Sequence, residues 1–140
     1  MVKRTTSKVY ESVKHKDFIK VAANFKDAAE LAFDFEYYNA SGVLFIHSSI
    51  AYSDAITIKL SGKKCSGDNH YEVIQLIEAV VPTLRKDKIA INKLKSLIDH
   101  KNFVSYTGDI YTRKDLEIIR KAFNKFRLWA EKVLEVEAGY

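Results

Sequence analysis

Six apolar residues near the end of the chain, Leu116, Ile119, Phe123, Phe126, Ala130 and Val133, recur at spacings of 3, 4, 3, 4 and 3. A repeat this close to 3.6 lays all six along one stripe of a helix, whereas a strand would divide them between two faces. Thr112 stands just ahead of the stripe, where an N-cap hydroxyl accepts from the first free backbone amides. The segment after it therefore reads as an amphipathic helix that must bury one side against other elements. With only one proline and five glycines in 140 residues, the chain lacks the punctuation for a sandwich or barrel of many short strands.

The rest of the sequence repeats this pattern. From about His15 to Glu36, Phe18, Val21, Phe25, Ala28, Ala32 and Phe35 also recur at 3, 4, 3, 4 and 3, predicting a first helix whose small Ala28 and Ala32 admit a close neighbour. Residues 1–14 ahead of it are polar and read as a flexible lead-in. A second helix follows Tyr37-Tyr38-Asn39, with Asn39 or Ser41 as N-cap and Ser61-Gly62 as its stop. Its apolar residues, Val43, Leu44, Phe45, Ile46, Ile50, Ala51, Ala55, Ile56 and Ile58, surround most of its circumference, as in the central helix of a bundle. Asn69 and Glu72 suggest a capping box opening a third helix through Val73, Leu76, Ile77 and Val80. Pro82 interrupts the chain, and a fourth helix carries Ile91, Leu94 and Ile98 until Ser105-Tyr106-Thr107-Gly108-Asp109 ends it. The expectation is an all-α fold, one antiparallel bundle of about five helices over residues 15–137.

The single Cys65 excludes an intramolecular disulfide framework and a Cys-rich zinc site. No apolar h-region follows Met1-Val2-Lys3-Arg4, and no uncharged run approaches the roughly 18 apolar residues that span a bilayer. A cytoplasmic protein without a membrane segment is expected. Asp68, His70 and Cys65 carry metal-capable atoms but fall short of a closed ligand set, and capping by Asp68 or Asn69 explains the loop more simply, so neither metal nor cofactor is expected. His15 and His100 show no partner pattern.

His47 and Asp54 lie seven residues apart on the second helix, nearly on one face. Enclosed in a shared pocket, they would suit a small polar ligand, a metal or acid–base work. The commoner use of such a pair is an interhelical hydrogen-bond network that fixes packing. Charge concentrates in two segments. Residues 85–101 hold six bases against two acids, and residues 113–127 hold the same numbers, so each carries +4 while the whole chain carries +5. If the two helices are adjacent they offer a basic surface, with Arg113, Arg120 and Arg127 as polyanion contacts. The stripe Arg113, Glu117, Arg120, Asn124, Arg127, Glu131 also matches a salt-bridged solvent face, which its interleaved acids favour.

The stretch Tyr38-Asn39-Ala40-Ser41-Gly42-Val43-Leu44-Phe45-Ile46-His47, continuing through Ala55, resembles the second helix of HEPN domains, the "higher eukaryotes and prokaryotes nucleotide-binding" helical bundles. The Ser66-Gly67-Asp68-Asn69-His70 loop and Lys101-Asn102-Phe103-Val104-Ser105-Tyr106, ahead of a helix ending Leu128-Trp129-Ala130-Glu131, agree with it. Many HEPN proteins are metal-independent ribonucleases. They carry an Arg, often followed by Asn, with four to six residues between the Arg and a His, two such motifs facing across a homodimer. Here Lys101, Asn102 and Tyr106 occupy the matching place. Lys holds a phosphate as a point charge without the guanidinium fork, and a tyrosine hydroxyl, ordinarily near pKa 10, is a poor base at neutral pH.

The resemblance thus implies a catalytically degenerate HEPN-like binding module, a homodimer contacting a nucleotide, RNA or a protein such as a nucleotidyltransferase or antitoxin. The candidate ligand contacts are His47, Asp54, Lys101, Asn102 and Tyr106. The alternative is a divergent metal-independent RNase using Lys101, Asn102 and Tyr106. The bland reading makes Lys101 a snorkelling helix-end residue and Tyr106 a partly buried aromatic.

Overall fold

The computed structural model describes residues 7–65 and 69–136. Five helices dominate: α1 His15–Asp34, α2 Tyr38–Ser61, α3 Tyr71–Val80, α4 Lys88–Tyr106 and α5 Arg113–Leu134. The expected all-α bundle is therefore present. None of these helices is long and apolar enough to cross a membrane. The expected loop Ser66-Gly67-Asp68, with Asp68 as a cap, lies outside the described residues.

α2 is the central element and packs against each of the other four helices. Ser41, Ser48, Ser49, Ser53 and Thr57 are all 0% exposed within it, so every hydroxyl needs a partner indoors. Ser41 Oγ donates to the Ala29 carbonyl at 2.8 Å and Ser48 Oγ to the Ala22 carbonyl at 2.7 Å. The two bonds advance along α2 as they retreat along α1, so this helix pair is antiparallel, and such bonds require close approach. Ala22 and Ala29, both 0% exposed, permit it. The buried line of α1 is thus Ala22, Ala29 and Phe33, with Phe18 and Ile19 packed beside it. The expected line through Val21, Ala28 and Phe35 is turned away from the core, and these three residues are exposed.

Neither Asn39 nor Ser41 caps α2, whose N-cap is Tyr37 without a side-chain bond. Asn39 ties α2 to the far end of the bundle instead. Its Nδ2 donates to the carbonyls of Val104 (3.1 Å) and Asp109 (2.8 Å), and its Oδ1 accepts from the Tyr111 amide (2.9 Å). Gly42 lets α4 close onto α2 there, because a Cβ would stand 2.9 Å from Val104 Cγ2. At the other end of α2, Gly62 takes φ +69° and its amide closes on the Ile58 carbonyl, ending the helix as expected.

That turn sends Lys63–Cys65 (β2) back antiparallel to Ser7–Val9 (β1), pairing Ser7 with Cys65 and Val9 with Lys63. The described part of the lead-in expected to be flexible therefore holds a short paired strand and, over Ser12–Lys14, a 3-10 turn. After Pro82 a second 3-10 turn, Thr83–Arg85, lies against α5, where Trp129 Nε1 donates to the Arg85 carbonyl at 2.8 Å. Asp87 caps α4 through the Ala90 amide. Thr112 and Asp115 form a reciprocal capping box on α5. All six residues of the α5 stripe are buried.

Candidate functional site

The start of α3 meets the last turns of α4 around a pocket of about 210 Å3, lined by Asn69, His70, Tyr71, Asp99, Lys101 and Asn102. Local chemistry fixes this corner. Asn69 Oδ1 accepts from the Tyr71 amide at 3.0 Å, an Asx-type turn into the helix. The expected Asn69–Glu72 box does not form, since Glu72 Oε2 accepts from Cys65 Sγ at 3.6 Å. The Tyr71 hydroxyl donates to Asp99 Oδ1, a strap between α3 and α4 that engages the one carboxylate of the pocket wall. Lys101 is half-buried and Asn102 exposed.

Tyr106 is not part of this pocket. α4 stays helical through Tyr106, and five residues at 3.6 per turn rotate it about 140° from Lys101. It is 79% exposed, which also corrects the expectation of a partly buried aromatic. The Lys101-Asn102-xxx-Tyr106 segment is therefore divided, with two members in the pocket and the third on another face.

His47 and Asp54 are likewise not gathered into one pocket. Seven residues of helix separate them by about 10 Å along the axis, and each faces a different neighbour. The His47 ring lies 5.9 Å from the Phe25 ring, centroid to centroid. Burial, and secondarily the positive charge of Lys101, hold His47 below its ordinary 6.5, so it is neutral at pH 7. Asp54 is 6% exposed and meets Lys64 of β2 at 3.8 Å. Burial pushes its carboxyl up to about 7, against the opposing pull of Lys64.

The three candidate polyanion contacts on α5 are each paired with a carboxylate. Arg113 Nε binds Glu117 at 3.1 Å, Arg127 Nη1 binds Glu131 at 2.6 Å, and Arg120 Nη2 crosses to Glu30 of α1 at 2.7 Å. Arg113 and Arg120 also cover the Phe33 ring at 5.1 and 5.0 Å. Arg127 is half-buried, with an enclosed Nε that has no hydrogen-bond partner. The stripe is salt-bridged, as its interleaved acids suggested, but it leans onto α1 rather than lying wholly in solvent.

Sequence reasoning left two histidines without partners that the fold supplies. His15 Nδ1 lies 2.6 Å from the Ser12 carbonyl, and His100 Nδ1 lies 2.8 Å from the Tyr111 hydroxyl. It also did not join Asn69 and His70 to Lys101 and Asn102, which are 31 residues or more away in sequence. Their only local signal was polarity at one helix start and one helix end. Among the described residues no group of three or more His, Cys, Asp or Glu could hold a metal.

What this corner can do chemically is present one ammonium, two carboxamides and an imidazole to an anion. No family model matches the chain, and no curated protein matches it.

Proposed function

We propose that the chain is a HEPN-like helical binding module that holds a phosphate-bearing ligand, a nucleotide or an RNA end, between α3 and α4 without cleaving it. The observation that carries this reading is the convergence of Lys101, Asn102, Asn69 and His70 on one pocket of about 210 Å3. Lys101 supplies charge and the carboxamides supply neutral donors. The volume is below the roughly 300–1,000 Å3 of drug-sized clefts, so a phosphate with part of its sugar fits rather than a whole dinucleotide. The division of the segment supports binding without turnover, because Tyr106 lies outside the pocket that Lys101 lines.

AMP titrated into 15N-labelled protein tests this. Shifts should centre on residues 69–71 and 99–102, and Lys101→Ala should weaken binding about tenfold or more, while Tyr106→Phe leaves it unchanged. Absence of shifts there at millimolar AMP refutes the reading. Efficient cleavage of single-stranded RNA that is lost in Lys101→Ala or Tyr106→Phe would instead establish the divergent ribonuclease.

A further inference from the structure

α4 and α5 pack side by side, and their outer faces enclose a groove of about 360 Å3. Ile89, Ile118 and Ala122 contribute apolar surface to it, with Lys93, Lys121 and Lys125 around them. Ile89 and Ile118 are each 60% exposed. Ile118 lies outside the buried stripe of α5, so internal packing does not account for it. The lysines contrast with the arginines of α5. Every one of those arginines holds a carboxylate, whereas among the described residues none of these three lysines forms an ion pair.

The complementary surface is on α1. Val21, Ala28, Leu31 and Phe35 form its outward line, at spacings of 7, 3 and 4, and Leu31 and Phe35 are 59% and 65% exposed. Asp27 and Asp34 flank that line on one side, in a column that begins with Lys20, so the acidic stretch is the C-terminal half of the helix. Asp27 is bound only by the adjacent Lys26, at 3.7 Å, and Asp34 enters no ion pair among the described residues.

We infer that the α4–α5 groove receives the outer face of α1 from a second copy of this chain, with Leu31 and Phe35 against Ile89 and Ile118 and the α1 aspartates against the groove lysines. The contact is heterologous, joining one surface of a copy to a different surface of the next. A groove-to-groove contact would bring lysine against lysine. A polynucleotide would engage the lysines and leave the isoleucines uncovered. An apolar helix face flanked by carboxylates satisfies both features, and the C-terminal half of α1 presents one.

Charge reversal tests the pairing on full-length protein, because all four substituted side chains are exposed and leave the core intact. Sedimentation velocity at low salt, over micromolar to submillimolar protein, should show self-association of the parent chain. K121E/K125E should weaken it about tenfold or more, and so should D27K/D34K. Mixing these two variants should restore association, because each copy's α1 then meets a groove of opposite charge on the other variant. Combining all four substitutions in one chain should restore self-association. A chain monomeric throughout this range overturns the inference, whatever RNA or acidic peptide the groove then binds. So does association that neither reversal weakens, or a mixture that stays monomeric. None of these outcomes bears on the AMP pocket, which lies at the α3–α4 corner.

Discussion

Replacing Asp54 by Asn isolates the energetic consequence of a carboxyl enclosed in the central helix. Asp54 is 6% exposed, and its ion-pair partner Lys64 stands 3.8 Å away, long for a charge-assisted hydrogen bond. Burial raises its ionisation from 3.8 to about 7, and Lys64 reverses only part of that. In the unfolded chain the carboxyl ionises near its ordinary value. Between about pH 4 and 7 the unfolded state therefore releases a proton that the folded state keeps, and folding becomes less favourable as the pH rises. Below that window both states are protonated and the effect vanishes. Above it the full penalty applies, on the order of 4 kcal/mol at about 1.4 kcal/mol per pH unit.

The amide copies the shape of the protonated carboxyl and has no charge to desolvate. Urea unfolding followed by the fluorescence of Trp129, the single tryptophan, gives the stability of both proteins from pH 4 to 8. Their difference cancels every other titrating group. Asp54→Asn should match the parent near pH 4 and exceed it increasingly up to pH 7, by as much as about 4 kcal/mol. A difference that is flat with pH, or that turns against the variant as pH rises, would refute the reasoning. It would mean that ionised Asp54 and Lys64 together stabilise the fold.

Two further substitutions test how α2 is seated. Gly42→Ala should destabilise by about 1–2 kcal/mol in urea unfolding, the overpacking against Val104 outweighing about 1 kcal/mol of gained helix propensity. Val104→Ala in the same chain should make the two costs less than additive, and a Gly42→Ala protein more stable than its parent would rule out the close contact. Asn39→Ala leaves the Val104 and Asp109 carbonyls and the Tyr111 amide without their partner. It should cost about 2–4 kcal/mol and speed hydrogen exchange at the Tyr111 amide, whereas unaltered exchange there would contradict the assigned staple.

The helices were legible where one face decides everything. On α5 a single stripe and a Thr cap specify the element, and both are used as the sequence suggests, with Asp115 closing the box. α2 was legible by the opposite sign, apolar residues all around, which only a central position satisfies. The β1–β2 pair was not, because three residues such as Ser7-Lys8-Val9 carry no alternation. The pocket was half legible. Lys101, Asn102 and Tyr106 stood out together only through the spacing of the family motif, and the helix they share turns Tyr106 about 140° from Lys101.

α1 shows why a periodic pattern alone does not fix a buried face. Its sequence supports two apolar lines about one residue apart, Phe18, Val21, Phe25, Ala28, Ala32, Phe35 and Phe18, Ala22, Ala29, Phe33. By apolar bulk the first is the better core, and hydrophobic burial considered for α1 in isolation selects it. The second wins because α2 brings Ser41 and Ser48 to the interface, and a buried hydroxyl without a partner costs more than a lost methyl contact. Those hydroxyls reach the α1 carbonyls only where the intervening side chains are as small as Ala22 and Ala29. The consequence extends beyond packing. Seating the small line inward obliges Leu31 and Phe35 to face outward beside Asp27 and Asp34. The serines of α2 thereby leave α1 with an exposed apolar line flanked by Asp27 and Asp34, the face that the proposed contact seats in the lysine-rimmed groove of α4 and α5.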